Sequence, residues 1–334
     1  MEDVGGERTS WEIVPASQLA VLAIKLATEP PVLPDIPLTI MSAVSKFNST
    51  EMGAWQTQTT EAHKPITFSK PFAAPPGIPI GLNTLDIDGG AQIRVKCSAS
   101  DITKTDFVVH VDCWDDTKLY SAGVSWLEVA PGDLEDQHGQ FATIDYRPQE
   151  IPGAKSSRRI NFARPYITPP KVISFLTSLD MARDYNWRVI TRVTDIDECG
   201  FTIHIDTWLD TILHSGRVGW IAYPEDRRFV YSGTANVKDV RAGSDTVANN
   251  SQAIDFGGTQ FWKTPSVFVA LNSLDLAAGR NLRLRASVDN ISTSGLTWHI
   301  DTWHDSILYS GGISYLAFCD SAMPVGGGGG AGGA

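Results

Sequence analysis

The sequence predicts an all-β protein made of three tandem six-stranded antiparallel β-sandwich domains. Three segments align with one another almost without gaps, and their first aromatic residues, Phe68, Phe162 and Phe256, recur every 94 residues. Apolar and polar residues alternate with period two within each segment, as they do from 201 to 206. This alternation is typical of strands that bury one face, and turn residues separate five or six such runs in each copy.

The repeat period also sets the domain organisation. A repeat this long exceeds the period of solenoid or propeller units, so each copy is expected to have a core of its own. Segments rich in proline and glycine mark the joints between copies. We therefore predict an N-terminal arm, three domains and a flexible Gly and Ala tail, at residues 1–50, 51–131, 132–225, 226–322 and 323–334.

Composition excludes several classes of protein. The chain has 38 acidic and 27 basic residues, a formal net charge of −11, which disfavours nucleic acid as a partner. It has no apolar run of about 18 residues, so no membrane insertion is expected. Its first residues lack the basic and apolar regions of a signal peptide, which predicts a cytoplasmic protein or one exported to the cell surface by a non-classical route.

Cysteine usage gives no support for a metal or a disulfide framework. The four cysteines include no CxxC pair, so no zinc site is predicted. Cys97 and Cys113 could form a disulfide, although reduced thiols packed in strands are the favoured interpretation. We predict no cofactor and no bound metal.

One tryptophan per copy breaks the pattern of buried apolar residues. Trp114, Trp208 and Trp303 fall on the strand face opposite the apolar positions. Each indole either packs in a contact between copies or stacks on the apolar face of a sugar ring. Three other aromatic residues follow the apolar alternation of the last strand and are predicted to be structural: Trp126, Trp220 and Tyr315.

Three histidines also recur in register, at His110, His204 and His299. They could meet at a three-fold axis and hold a metal ion. Alternatively, each could form a hydrogen-bonded pair with the aspartate two residues further on.

The order of the repeated motifs resembles the H-type lectin family over nearly the whole of each copy. The motifs are I-x-F, a Pro-Pro or Thr-Pro pair, the LD dipeptide, N-x-R, and T-W-x-D followed by Ser-Gly; copy one has Cys in place of the Thr. The resemblance implies a six-stranded sandwich that forms trimers. It also implies calcium-independent binding of N-acetylgalactosamine or galactose in clefts between neighbouring protomers. In this chain the three copies would form an intramolecular pseudo-trimer.

Copy three matches the binding pattern of the family best. Its predicted sugar site consists of Gly243, Asp245, Arg283, Trp303, His304 and Tyr309. Asp245 would accept hydrogen bonds from two sugar hydroxyls, and Arg283 would donate a rigid fork of hydrogen bonds to the same oxygens. Alone, Arg283 could be a surface ion pair and Asp245 a turn cap. In the family's pattern Trp303 and Tyr309 give apolar cover, and His304 is placed to touch an N-acetyl group.

The other two copies keep part of this pattern and are predicted to be weaker sites. Copy two has Leu209 after its tryptophan and Ile151 in place of the loop aspartate, and copy one has Thr57 there. The retained or substituted candidates in copy two are Arg188, Trp208 and His214. Those in copy one are Arg94, Trp114, Asp115 and Tyr120.

The predicted function is a multivalent lectin for glycans that end in N-acetylgalactosamine or galactose, with further self-association left open. An alternative is an assembly module in which the repeated Trp, His and Asp face is buried and no sugar binds. A glycosidase is a second alternative, because Asp206 with Asp210, or Asp301 with Asp305, could serve as paired carboxylates. We expect no enzymatic activity, since an enzyme rarely needs one constellation three times.

Overall fold

The computed structural model describes residues 41–52, 60–133, 135–259 and 261–319, whose regular secondary structure is almost entirely β-strand. Most of the predicted arm, at 1–40, and the predicted tail, at 323–334, lie outside these residues. The strands of copy one are β1 (Met41–Asn48), β2 (Glu61–Thr67), β3 (Ile80–Ile87), β4 (Ile93–Ser100), β5 (Asp106–Asp112) and β6 (Leu119–Val129). The strands of copy two are β7 (Gln137–Ala142), β8 (Lys155–Asn161), β9 (Lys171–Met181), β10 (Trp187–Asp197), β11 (Gly200–Asp206) and β12 (Leu213–Tyr223). The strands of copy three are β13 (Val230–Asn236), β14 (Ser251–Asp255), β15 (Ser266–Leu276), β16 (Leu282–Asp289), β17 (Gly295–Asp301) and β18 (Leu308–Phe318).

The first strand begins earlier than the predicted domain boundary. β1 lies within residues 1–50 and pairs antiparallel with β6. The six strands of copy one therefore begin at Met41 rather than after residue 50. Equivalent strands, β7 and β13, open copies two and three, and a single 3-10 turn follows each of the three.

The six strands of each copy form two three-stranded half-sheets that face each other. Every half-sheet continues into a neighbouring copy, which gives three six-stranded antiparallel sheets of order β1-β6-β3-β16-β17-β14, β2-β5-β4-β9-β12-β7 and β13-β18-β15-β10-β11-β8. Each sheet takes three strands from each of two copies, and the three sheets close a ring. The predicted all-β fold and intramolecular pseudo-trimer are confirmed.

The apolar face of each strand builds the core that was expected from the alternation. Phe107, Val109 and Val111 of β5 are buried, whereas the residues between them are half-buried. Trp126 of the opposite half-sheet meets the Phe107 ring edge-on at a centroid distance of 5.4 Å. Its equivalents Trp220 and Tyr315 are buried as well, so the structural role predicted for this set is confirmed.

Near the centre of the ring, equivalent positions carry side chains of very different size. Gly81, Phe175 and Ala270 occupy the same place in copies one, two and three. A Cβ on Gly81 would lie 2.6 Å from the Cβ of Ala270 and 2.8 Å from the Phe175 ring. Gly219 of the adjacent strand also approaches the Phe175 ring so closely that a Cβ there would overlap it. One aromatic ring thus fills space that three equal side chains could not share.

Within the residues that the structure describes, no helix has the length and apolar character needed to cross a membrane.

Candidate functional site

The pairing of strands between copies brings an arginine to an aspartate at each of the three interfaces. The arginine belongs to the N-x-R motif of one copy, or to its equivalent in copy one, and the aspartate belongs to the LD dipeptide of the next. The Nε to Oδ1 distances are 3.3–3.5 Å. The pairs are Arg94 with Asp180, Arg188 with Asp275, and Arg283 with Asp86.

Each arginine also forms an ion pair with an aspartate of its own copy. This aspartate stands two residues after the exceptional tryptophan, which is Trp114, Trp208 or Trp303, and its oxygen lies 2.5–2.7 Å from Nη1 of the arginine. The guanidinium lowers the pKa of Asp210 and of Asp305 through these hydrogen bonds. The pairs are Arg94 with Asp116, Arg188 with Asp210, and Arg283 with Asp305.

The aspartate of each LD dipeptide has one buried oxygen that accepts no hydrogen bond from any residue that the structure describes. The atoms concerned are Oδ1 of Asp86, Asp180 and Asp275. Burial raises the pKa of all three carboxyls, against the opposing effect of the facing arginine. The arginine Nε faces each of these oxygens at 3.3–3.5 Å without forming a hydrogen bond, so a donor from a ligand or water would be stabilised there.

The exceptional tryptophans lie beside these pairs and are half-buried in all three copies. At one interface, Trp303 and His304 both lie close enough to Asp86 to lower its pKa. Trp303 does so through its indole N–H and His304 through its electrostatic interaction, and both oppose the effect of burial. The guanidinium of Arg285 covers part of the Trp303 ring, at 5.3 Å from the ring centroid. The indoles are therefore neither core residues nor fully exposed.

The residue after each tryptophan adopts a left-handed backbone conformation that non-glycine residues seldom take. The φ angles of Asp115, Leu209 and His304 are 54°, 56° and 55°. All three side chains are exposed, and that of Leu209 reaches 83%. The same turn thus presents a carboxylate, an apolar group or an imidazole, depending on the copy.

At two of the interfaces, the structure describes a loop from the next copy. In copy two the Gln149 side chain donates a hydrogen bond of 2.9 Å to Oδ2 of Asp180. Gly243 has the equivalent place in copy three, where a Cβ would lie 3.3 Å from the carbonyl oxygen of Tyr309. We name each of the three sites by its two copies, and the copy that contributes the arginine comes first. The sites are the one–two, two–three and three–one clefts.

The structure divides the six residues predicted as one site in copy three between two clefts. Arg283, Trp303 and His304 lie in the three–one cleft. The others lie in the two–three cleft: Gly243, Asp245 and Tyr309. The division arises because β16 pairs with β3 of copy one, whereas β18 lies next to β15, whose Asp275 faces Arg188. The strand pairing therefore assigns Arg283 to the interface with copy one and the strand of Tyr309 to the interface with copy two.

The candidates from copies one and two are distributed by the same rule. Arg188 and Trp208 belong to the two–three cleft, where they face the loop and tyrosine of copy three. Tyr120 lies next to Ser121, which pairs with Asp86, and belongs to the three–one cleft. The electrostatic interaction with His214 lowers the pKa of Asp180, so the two side chains lie near each other. His214 therefore shares the one–two cleft with Arg94, Trp114 and Asp115.

The three–one cleft opens into a cavity of about 320 Å³. Arg280, Arg283 and Asp305 contribute from copy three, and the turn from Asp88 to Gly90 contributes from copy one. Gly89 is required here, since a Cβ at this position would overlap the carbonyl oxygen of Arg280. This cavity is large enough for a monosaccharide and is lined mainly by polar groups.

Among the residues that the structure describes, no group of His, Cys, Asp or Glu side chains could hold a metal ion. The recurrent histidines, on β5, β11 and β17, form no such group, so the hypothesis that they meet at an axis and hold a metal is wrong. Each instead contacts a side chain of the neighbouring strand at 2.8–2.9 Å. The pairs are His110 with Ser100, His204 with Thr194, and His299 with Asp289, rather than with the aspartate two residues on.

The paired carboxylates considered for a glycosidase are held in other interactions. Asp206 forms an ion pair with Arg192 at 3.0 Å, and Asp301 accepts a hydrogen bond from the backbone N–H of Asn250. Asp210 and Asp305, whose pKa values are lowered, are ionised at neutral pH and lack the proton of a general acid.

Sequence reasoning missed the aspartates of the LD dipeptide as site residues. The dipeptide occurs at the same place in all three copies, which was noted only as a motif. Its recurrence next to apolar strand residues was the available signal, because a charged residue repeated inside a buried strand needs a partner. That partner comes from another copy and is invisible in one repeat.

Comparison with known proteins places the fold in a family. The model of the H-type lectin domain matches three times, at residues 63–127, 157–223 and 251–318. A curated relative from Fuscovulum blasticum, "ATP synthase subunits region ORF 7", is 30% identical over 71 residues, which is 21% of this chain and 60% of the relative. The chain thus covers less than two thirds of that relative. Since the three matched domains make up more than half of its length, the chain belongs to the H-type lectin family, whose domains bind carbohydrate.

Proposed function

We propose that this protein binds glycans ending in galactose or N-acetylgalactosamine in clefts between its copies. The observation that carries the proposal is the recurrence at every interface of an arginine, a half-buried tryptophan and an LD aspartate whose buried Oδ1 lies 3.3–3.5 Å from the arginine Nε but accepts no hydrogen bond from a described residue. A sugar hydroxyl can donate to this oxygen and accept from the arginine, while the indole covers the apolar face of the ring.

The clefts are not equivalent. The two–three cleft combines Arg188 and Trp208 with the acidic loop at Asp245, and has Leu209 at the turn. The three–one cleft combines Arg283, Trp303 and the His304 imidazole. Covalent linkage permits such differences, because tandem copies can diverge where identical chains of a homotrimer cannot. We infer that these two clefts bind N-acetylgalactosamine or galactose with different affinities.

Several sites on one chain would make the protein an agglutinin. If two clefts engage the same glycan-coated surface, the second binding event becomes intramolecular, and avidity can exceed the single-site affinity by about 100-fold or more. Cross-linking of cells or glycoproteins, inhibited by free N-acetylgalactosamine, is the expected activity.

Replacement of Trp303 by alanine is expected to weaken N-acetylgalactosamine binding in the three–one cleft about tenfold or more, since an indole at the centre of a site contributes about 2 kcal/mol. Titration calorimetry of the whole chain should then show one fewer site. Trp208→Ala should remove the two–three cleft in the same way, and the double variant should lose agglutination.

Trp262→Ala supplies the matched control. Trp262 is also half-buried and belongs to copy three, but it precedes β15 and lies at the end of that strand remote from the clefts. Its removal should leave the number of sugar sites unchanged. If the unaltered chain binds neither galactose nor N-acetylgalactosamine, the arginine and aspartate pairs serve assembly only and the proposal is wrong.

A further inference from the structure

The one–two cleft differs from the other two in its charge. Arg94 is the arginine of this cleft, and it faces three carboxylates: Asp116 at 2.5 Å, Asp180 at 3.5 Å and Asp115 at 3.6 Å. In the two other clefts the arginine lies within 4 Å of two carboxylates. The three–one cleft also contains Arg280.

The additional carboxylate comes from the left-handed turn. Asp115 stands where the other copies have Leu209 and His304, and its side chain is 69% exposed. The loop on the other side of the same cleft has Ile151 at the position that is Asp245 in copy three, with the exposed Glu150 next to it. The carboxylate that distinguishes the turn of this cleft is therefore that of Asp115, on the tryptophan side beside Trp114.

One of these carboxylates has an unused acceptor. Asp180 has a side-chain exposure of 2%, and its Oδ2 accepts a hydrogen bond from Gln149. Its Oδ1 is buried and accepts none from any described residue. Arg183 also reaches across this interface, but it is paired with Asp184 of its own copy. The guanidinium of Arg94 cannot neutralise three carboxylates, so this cleft favours a ligand that brings positive charge and hydrogen-bond donors together.

We propose that the one–two cleft binds a hexosamine whose amine is free and protonated, rather than an N-acetylated or neutral sugar. This inference rests on the proposed carbohydrate function and specifies the ligand class of one of the three clefts. A sugar ring lying against Trp114 would place its hydroxyls toward Arg94 and Asp180. An ammonium group on the same ring satisfies the excess negative charge at Asp115, which an acetamide cannot do.

The test compares galactosamine with galactose and N-acetylgalactosamine on the full chain by titration calorimetry. The unaltered chain should bind galactosamine at one site, about fivefold more tightly than galactose at that site, which is the effect of one exposed ion pair. Asp115→Asn should remove this difference and leave the binding of N-acetylgalactosamine in the other clefts unchanged. The reciprocal variant His304→Asp should create a second galactosamine site in the three–one cleft.

Glu198→Gln controls for the change in net charge. Glu198 is exposed at the turn before β11, at the opposite end of that strand from Trp208. The Glu198→Gln variant should bind galactosamine, galactose and N-acetylgalactosamine with unchanged affinities. If N-acetylgalactosamine binds but galactosamine shows no preference that depends on Asp115, this inference is overturned and the proposed function stands. If none of the three sugars binds, the proposed function itself fails.

Discussion

Replacement of Phe175 by alanine is expected to lower the free energy of unfolding by about 3–5 kcal/mol, the range for removing a fully buried phenylalanine. Phe175 is 0% exposed, and its ring packs against Phe268 with a centroid distance of 4.9 Å. The neighbouring equivalents, Gly81 and Ala270, are too small to close the cavity left behind. Urea denaturation of the two proteins measures the difference, and Phe72→Ala, at a half-buried phenylalanine, should cost less.

The same ring explains why Gly219 is glycine. Ser125 and Ser314 stand at this position in copies one and three, and their hydroxyls donate to carbonyl oxygens of Val269 and Ser174. A side chain at residue 219 would overlap the Phe175 ring. Gly219→Ala should therefore destabilise the chain by about 1–3 kcal/mol through overpacking.

A double-mutant cycle distinguishes this packing from two independent defects. In the Phe175→Ala background the added methyl group meets a cavity instead of a ring, so Gly219→Ala should cost little or should stabilise. A coupling energy of about 1–3 kcal/mol is expected for residues in direct contact. Strictly additive effects would show that the packing at the centre of the three-sheet ring relaxes. In that case the Phe175 side chain would not be the reason why copy two has glycine where the other copies have serine.

Much of the fold could be predicted from the sequence because its signals are local. Period-two alternation identified the strands that bury Phe107, Val109 and Val111, and the repeat of 94 residues identified three domains. The β1 strand was missed because it lies upstream of the first repeated motif and next to a proline-rich segment. Sheet continuity between copies could not be derived, since it depends on which edge strands meet in space.

The composition of the clefts shows where reading one repeat at a time fails. Alignment of copies placed Asp245 with Arg283, because both occur in copy three. In the folded chain Asp245 lies near Arg241 of its own copy, and Arg283 pairs with Asp86 of copy one. Residue types were identified correctly from their chemistry, whereas their partners depend on β-pairing between copies. A site formed between repeats is therefore predicted only when the neighbour of each edge strand is known.

Replacement of Arg227 by methionine is expected to cost about 3–5 kcal/mol at pH 8, since removal of one partner leaves buried charge uncompensated. Arg227 lies in the connection between copies two and three, and its side chain is 4% exposed. It contacts Asp136 directly and Asp133 at 3.6 Å, both in the connection between copies one and two. Arg228→Met, at the exposed neighbour, should change stability by less than about 0.5 kcal/mol.

The cost of Arg227→Met should depend on pH in a defined direction. Burial raises the pKa of Asp136 from 3.8 to about 8 in the folded chain, and the charge of Asp133 adds to this effect while Arg227 opposes it. A carboxyl whose pKa is higher in the folded state stabilises the fold at pH values below 3.8, and this contribution is lost as the pH rises toward 8. Without Arg227 the pKa of Asp136 rises further, so its proton is held more strongly. The free energy of unfolding of the variant should therefore be closer to that of the unaltered chain at pH 5 than at pH 8. Asp136→Asn should flatten the pH dependence of both proteins in this interval, and an equal deficit at both pH values would show that the two carboxylates are solvated rather than buried.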